Sequence, residues 1–144
     1  FNHESPRRGE TFVTKKITKA VAKIVKGDQE KIVLGNLDAV RDWGYAKDYI
    51  EAMWLMLQQE SPDDYVIATG RTVSLEYFII KVFERFNLDW KDYVVIDNSL
   101  FRPTDIVVGR ADPSKAREVL GWTHTVDVDG VIGRMCDAVL LESS

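Results

Sequence analysis

The chain has few of the residues that build disulfides, metal centres and membrane spans. It contains one cysteine, Cys136, and two histidines, His3 and His124. A single cysteine cannot form an internal disulfide, and so few Cys and His side chains exclude a Cys/His metal cluster. Apolar runs stay well below the ~20 residues that cross a bilayer, and residues 1–5 show no leader pattern. We therefore expect a soluble protein of the reducing cytoplasm that binds no metal.

An excess of positive charge is also absent. The sequence has 19 Lys and Arg against 23 Asp and Glu, which gives a net charge of −4. This balance disfavours a nucleic-acid or membrane partner, so local cations must hold any anionic ligand. With 45% hydrophobic and 10% aromatic residues, 4 Pro and 9 Gly, the composition is typical of a folded domain. Its 144 residues predict one domain over the whole chain, 1–144.

Glycine spacing excludes the two common phosphate loops. No two of the 9 glycines are two or five positions apart. Neither the G-x-G-x-x-G dinucleotide fingerprint nor the G-x-x-x-x-G-K loop can therefore be present. The chain also begins at Phe1 rather than Met, in what reads as the polar end of a strand. We interpret it as a fragment of a longer protein.

Apolar spacing predicts helices that alternate with short strands, which indicates an α/β class. The predicted helices cover residues 12–25, 46–59, 74–86, 113–120 and 128–142. The predicted strands cover residues 31–35, 64–69, 93–96 and 106–108. The segment 36–44 is predicted as a loop, and a loop of that length suggests a functional role.

Two of the predicted helices have a marked apolar face. In the second helix we expect the buried stripe to be Ile50, Met53, Trp54 and Leu57. In the third we expect the hydrophobic centre of the domain: Leu75, Phe78, Ile79, Val82, Phe83 and Phe86. Asp48 and Glu51 are expected on the solvated face of the second helix.

Four arginines lie in turn-rich loops beside Pro, Gly or Trp: Arg7, Arg8, Arg41 and Arg102. Guanidinium groups bind phosphate oxygens bidentately, so these arginines favour a pyrophosphate site. The alternative is that each arginine pairs with a nearby carboxylate: Glu4, Asp42 or Asp105.

Lys16 permits two interpretations. It belongs to a lysine-rich helix face that is typical of solvated surface. It also lies near the helix N-terminus, where Thr11, Thr14 and free backbone N–H groups could help it to hold a phosphate.

Conventional nucleophile patterns are weak, because His3, Glu4 and Ser5 are consecutive and Cys136 lies on an apolar stripe. Residue chemistry alone thus predicts an α/β domain with a phosphate pocket.

A set of sequence segments carries more information than their spacing. They are residues 2–9 (NHESPRRG), 12–14, 35–39, 41–44 (RDWG), 46–49, 51–54, 67–70, 101–103 and 112–116 (DPSKA). Together they closely resemble the GDP-mannose 4,6-dehydratase family of the extended short-chain dehydrogenase/reductase superfamily, over nearly the whole chain. The block at 2–9 is the most specific of these segments.

The resemblance implies a fold and an activity. The chain is similar to the C-terminal, substrate-binding part of these enzymes, without the N-terminal Rossmann domain that binds NADP. The intact enzyme would be a lyase of GDP-fucose biosynthesis that converts GDP-mannose to GDP-4-dehydro-6-deoxy-mannose and forms a homo-oligomer. The family's catalytic residues lie upstream, so the resemblance implies no catalytic residue in this chain.

The resemblance also implies site residues. His3 and Arg8 match positions that contact NADP. The matches to GDP-sugar contacts are Asn2, Val13, Lys16, Arg41, Arg102 and Asp105. Of these, Arg41 and Arg102 would clamp the pyrophosphate. Asp105 stands where the family usually has Glu, and Tyr45 where it usually has His.

Two alternatives remain open from the sequence. A related nucleotide-sugar reductase or epimerase would keep the arginine clamp but share less of the 2–9 block. A non-catalytic nucleotide-sugar binding module is the other alternative, and it applies if 144 residues are the whole protein.

Overall fold

The computed structural model describes residues 1–101, 104 and 106–142, and it confirms the alternation of strands and helices. The strands are β1 (Asn2–Glu4), β2 (Ile32–Leu34), β3 (Val40–Arg41), β4 (Trp43–Tyr45), β5 (Val73–Ser74) and β6 (Val94–Ile96). The helices are α1 (Val13–Lys26), α2 (Ala46–Leu57), α3 (Leu75–Arg85), α4 (Ser114–Leu120) and α5 (Val128–Glu142). Within this described part of the chain, no helix has the length and apolarity needed to cross a membrane.

The strands pair in three short ladders. β1 runs parallel to β4, with Asn2 opposite Trp43 and His3 opposite Gly44. β2 runs parallel to β6, and β3 runs antiparallel to β5. Parallel strands need a long crossover, and here α1 lies in the first crossover while α2 and α3 lie in the second.

Helix α1 ends at Lys26, one residue beyond the predicted range. Its inner face buries Ile17 and Val21 completely. Gly27 follows in the left-handed region, at φ 81°, and its N–H donates to the carbonyl oxygen of Ile24 at 3.0 Å. Glycine adopts this conformation without a steric penalty, which makes it a common helix terminator.

The centre of the core is α3, as expected. The Ser74 hydroxyl caps the helix by accepting a hydrogen bond from the Tyr77 N–H at 3.0 Å. Phe78 and Phe83 are fully buried, and α3 packs against α1 and α5. Cys136 of α5 is in the same core, where burial raises the pKa of its thiol to about 12. The expectation that Cys136 is a core residue is confirmed.

The expected orientation of α2 is wrong. Its predicted buried stripe is exposed, with relative exposures of 62% at Ile50 and 82% at Leu57. The buried face instead carries Asp48, which was expected in solvent, together with Tyr49 and Ala52. The Asp48 carboxylate accepts hydrogen bonds from the Thr125 N–H, the Thr125 hydroxyl and the Val126 N–H at 2.9, 2.7 and 3.1 Å. Because these donors satisfy the carboxylate, Asp48 can be buried, and the face of α2 that carries it packs against the protein.

Two predicted strands and one predicted loop also differ from the structure. Residues 64–69 form no ladder, and at their end the Thr69 N–H donates to the Asp42 carboxylate at 3.1 Å. The predicted strand at 106–108 is reduced to one bridge between Val108 and Val40. The predicted loop at 36–44 contains β3 and most of β4.

We predict that Gly44→Ala destabilises the fold by about 1–3 kcal/mol through overpacking. A Cβ atom at Gly44 would lie 2.8 Å from the hydroxyl oxygen of Tyr49, whose side chain is buried. Urea unfolding followed by circular dichroism measures the change. Gly9→Ala is the matched control, since its Cβ would lie 3.5 Å from the Phe12 ring, an ordinary contact. Equal stability of the two variants would contradict the close approach of Gly44 to Tyr49.

Candidate functional site

Strand β1 presents Asn2 and His3 at the start of the chain. Asn2 is half-buried and His3 is exposed. His3 Nδ1 lies 2.8 Å from the carbonyl oxygen of Phe1. A carbonyl only accepts, so Nδ1 carries the proton and Nε2 of the neutral ring is left as an acceptor. The ring packs against Tyr49 with a centroid distance of 4.8 Å, which fixes the orientation of the imidazole.

Arg8 is held on several sides in the loop after β1. Its guanidinium carbon lies 3.5 Å from the centre of the Phe12 ring. Nη1 donates to the carbonyl oxygen of His3 at 3.5 Å, and Nε lies 3.4 Å from the Glu4 carboxylate. The alternative of pairing with a nearby carboxylate is therefore confirmed for Arg8, and the same contacts bring Arg8 next to His3.

Glu4, which the sequence analysis considers only as a partner for a nearby arginine, is also part of the site. Its carboxylate is almost fully buried and accepts a hydrogen bond from the Thr14 hydroxyl at 2.6 Å. Burial raises the pKa of Glu4, although the Thr14 bond and the Arg8 charge oppose the shift. The available sequence signal was its i, i+4 spacing from Arg8. The suggestion that Thr14 could bind a phosphate is wrong, because its hydroxyl is buried and already donates to Glu4.

Lys16 lies at a basic cleft between α1 and β2. The cleft has a volume of ≈ 390 Å³, and its polar lining comprises Lys16, Lys19, Lys23, Lys31, Glu10 and Gln29. The Lys16 ammonium donates to the carbonyl oxygen of Val33 at 3.0 Å and so spans from the helix to the strand. Four lysines against one glutamate give the cleft a positive charge that favours an anionic ligand. Val13, one turn before Lys16, is half-buried against the core.

Arg41 holds the segment 106–109 beside β3. Its Nη1 donates to the carbonyl oxygens of Val40 and Ile106 at 2.9 and 2.5 Å. The Val40 N–H also donates to the carbonyl oxygen of Val107 at 2.8 Å. Both oxygens of the neighbouring Asp42 carboxylate accept hydrogen bonds from residues 69 and 70. The half-buried Arg41 guanidinium is thus fixed at the edge of an irregular segment.

Of the two arginines predicted to bind the pyrophosphate, Arg41 and Arg102, the structure describes only Arg41. Arg102 and Asp105 lie outside the described residues, so their proposed contacts stay predictions. Ile106, the next residue after Asp105, is hydrogen-bonded to Arg41.

The arrangement around Arg8 fits part of an anionic dinucleotide. The Arg8 Nε is buried and has no hydrogen-bond partner in the described structure, only the nearby Glu4 charge. A guanidinium fixed in this way offers a fork to a phosphate, and His3 Nε2 offers an acceptor to a hydroxyl or amide. These two residues can hold only part of such a cofactor, because the sequence has no Gly-rich dinucleotide loop.

Solved structures share this fold. The structure of RMD from Pseudomonas aeruginosa complexed with NADPH matches with a TM-score of 0.89 and 17% identity, over 99% of this chain and 47% of that one. UDP-glucose 4-epimerase from Thermotoga maritima, solved with UDP-glucose, matches with a TM-score of 0.80 and 20% identity, over 100% of this chain and 44% of that one. The expected α/β fold is thereby confirmed.

Sequence relatives are much closer. GDP-mannose 4,6 dehydratase 2 of Arabidopsis thaliana is 56% identical over 95% of this chain, and the Homo sapiens GDP-mannose 4,6 dehydratase is 44% identical over 96%. The chain spans 37% and 42% of the length of these two relatives. The model of the family described as GDP-mannose 4,6 dehydratase matches residues 1–135. This chain therefore belongs to the GDP-mannose 4,6-dehydratase family.

Proposed function

We propose that this chain is the sugar-nucleotide-binding portion of an NADP-dependent GDP-mannose 4,6-dehydratase, a lyase that forms GDP-4-dehydro-6-deoxy-mannose. The observation that carries the proposal is the basic cleft at Lys16, within a chain that matches the dehydratase family over residues 1–135. A GDP-sugar carries its negative charge on the diphosphate, so a cleft lined by four lysines suits it.

The substrate role falls to residues on α1 and β3. Lys16 would pair with the diphosphate as a point charge, while Arg41 would bind it with a planar fork. The carbonyl oxygens of Val40 and Ile106 already hold the Arg41 guanidinium, so little side-chain entropy is lost when a ligand binds. Asn2 and Val13, with Arg102 and Asp105, complete the proposed set of contacts to the GDP-sugar.

The cofactor role falls to His3 and Arg8. These two residues would hold part of NADP, which would supply the hydride chemistry of the reaction. Arg8 would hold a cofactor phosphate, and His3 would accept a hydrogen bond at Nε2 from a cofactor hydroxyl or amide. Proton transfer would fall to residues outside this chain, in the larger part of the dehydratase. We place the intact enzyme in the cytoplasm, as a homo-oligomer in nucleotide-sugar metabolism.

The first test of this proposal is a chimera in which residues 1–144 replace the matching segment of the Arabidopsis relative. We predict that the chimera forms the 4-keto sugar from GDP-mannose with NADP, since the replaced segments are 56% identical. The 144-residue chain alone should form none, because it has no dinucleotide loop. Mass spectrometry of the products measures both results. A folded chimera that turns over no GDP-mannose, or that only epimerises or reduces nucleotide sugars, would contradict the proposal.

Arg41→Ala should weaken GDP-mannose binding by about ten- to a hundredfold, since a charge-assisted hydrogen bond contributes about 1.5–3 kcal/mol. Arg41→Lys should recover part of this loss, because it keeps the charge without the fork. Calorimetric titration of the chimera at fixed salt measures the affinity. Arg134→Ala is the matched control, because Arg134 is an exposed arginine on another element, α5. Affinity of Arg41→Ala within twofold of the parent would show that Arg41 only anchors the segment 106–109.

Lys16→Met should weaken GDP-mannose binding by about tenfold while it leaves NADP binding unchanged. Methionine keeps the length of the side chain and removes the charge that faces the basic cleft. The loss should shrink as salt is raised, because the cleft is open to solvent. Lys47→Met on α2 is the control, since that lysine is exposed and lies on another element. Identical titrations of the two variants would mean that Lys16 belongs to solvated surface.

A further inference from the structure

Glu4 stands between two elements of the candidate site. Its Oε2 atom accepts the 2.6 Å hydrogen bond from the Thr14 hydroxyl and also lies 3.4 Å from Nε of Arg8. Thr14 belongs to the first turn of α1, while Arg8 belongs to the loop that precedes it. One carboxylate oxygen therefore ties the end of β1 to both the loop and the helix.

The surroundings of Arg8 leave its guanidinium little freedom. The Phe12 ring covers one face at 3.5 Å, and the His3 carbonyl oxygen accepts from Nη1. Stacking alone would allow the guanidinium to rotate over the ring, and the Glu4 charge beside Nε opposes that rotation. An arginine held in one orientation loses less entropy when it binds a phosphate.

Folding does not require the charge of Glu4. Its carboxylate is 1% exposed, and loss of hydration is the largest influence on its pKa, which is raised. Since the carboxyl pKa is higher in the folded than in the unfolded chain, ionisation of Glu4 weakens folding relative to the neutral group. A glutamine of the same shape would keep an acceptor for Thr14. The ionised carboxylate is therefore not needed for folding, and its charged contact is with Arg8.

We infer that Glu4 is a positioning residue, whose charge holds the Arg8 guanidinium in the orientation in which it receives a phosphate of the dinucleotide cofactor. Glu4 is buried and hydrogen-bonded to Thr14, so it acts only through its contact with Arg8. The inference rests on the proposed role of Arg8 in binding NADP.

The test is a double-mutant cycle between Glu4→Gln and Arg8→Ala in the complete dehydratase that contains residues 1–144. Equilibrium binding of NADP⁺ and of GDP-mannose is measured by calorimetry, and thermal unfolding by circular dichroism. We expect Glu4→Gln to weaken NADP⁺ binding about three- to tenfold, with GDP-mannose affinity within twofold and no fall in the unfolding temperature. In the Arg8→Ala background, Glu4→Gln should cause no further loss.

Two further variants complete the design. Glu4→Asp keeps the charge but withdraws it by one methylene, so an intermediate loss of NADP⁺ affinity is expected. Glu84→Gln is the control, since Glu84 pairs with Lys81 on the surface of α3, and it should leave both affinities unchanged.

Each contrary outcome has a distinct meaning. If Arg8→Ala weakens NADP⁺ binding while Glu4→Gln does not, or if the two losses add, the inference is overturned and the proposed function stands. If Arg8→Ala leaves NADP⁺ binding unchanged, the proposed cofactor role of Arg8 fails and the inference fails with it. If Glu4→Gln unfolds the protein, or weakens both ligands equally as its melting temperature falls, the role of Glu4 is structural.

Discussion

The parallel pairing of β1 with β4 is the interaction on which the rest of the structure depends. Three residues of each strand form it, and the crossover between them contains α1, β2 and β3. The pairing sets His3 opposite Gly44, where the absence of a side chain leaves space for the Tyr49 ring beneath the strands. Because Lys16 and Arg41 lie on the crossover, the same pairing places the proposed substrate residues in one framework with His3 and Arg8.

Buried carboxylates hold this framework together. Asp42 and Asp48 accept hydrogen bonds from backbone N–H groups of residues 69–70 and 125–126, which are far from them in sequence. These donors satisfy the buried carboxylates, so each becomes a tie between segments. Glu4 differs from both, because its partners are a hydroxyl and a guanidinium. Asp42 and Asp48 therefore only stabilise the fold, whereas Glu4 also orients the Arg8 guanidinium.

The sequence predicts an element well where its own apolar spacing determines which face is buried. It predicts an element poorly where a hydrogen-bond partner distant in the chain determines that face. Helices α1 and α3 follow from apolar spacing, because their faces are buried by ordinary hydrophobic packing. The buried face of α2 does not follow from apolar spacing, since the buried Asp48 accepts hydrogen bonds from a segment more than seventy residues later. Residues 64–69 have the composition of a strand, but their end is bonded to a side chain. Lys16 and Arg41 carried local signals of anion binding. Glu4 was expected only as a partner for an arginine, because its burial against Thr14 does not follow from the local sequence.

A crystal structure of the complete protein with NADP⁺ and GDP-mannose bound would test directly which residues of this chain contact the two ligands. We expect the diphosphate of GDP-mannose within hydrogen-bond distance of Lys16 and Arg41. We expect a phosphate of NADP⁺ on the Arg8 guanidinium, with Glu4 still beside its Nε. A GDP-mannose molecule bound away from the cleft between α1 and β2, or an Arg8 side chain turned away from the cofactor, would contradict these expectations.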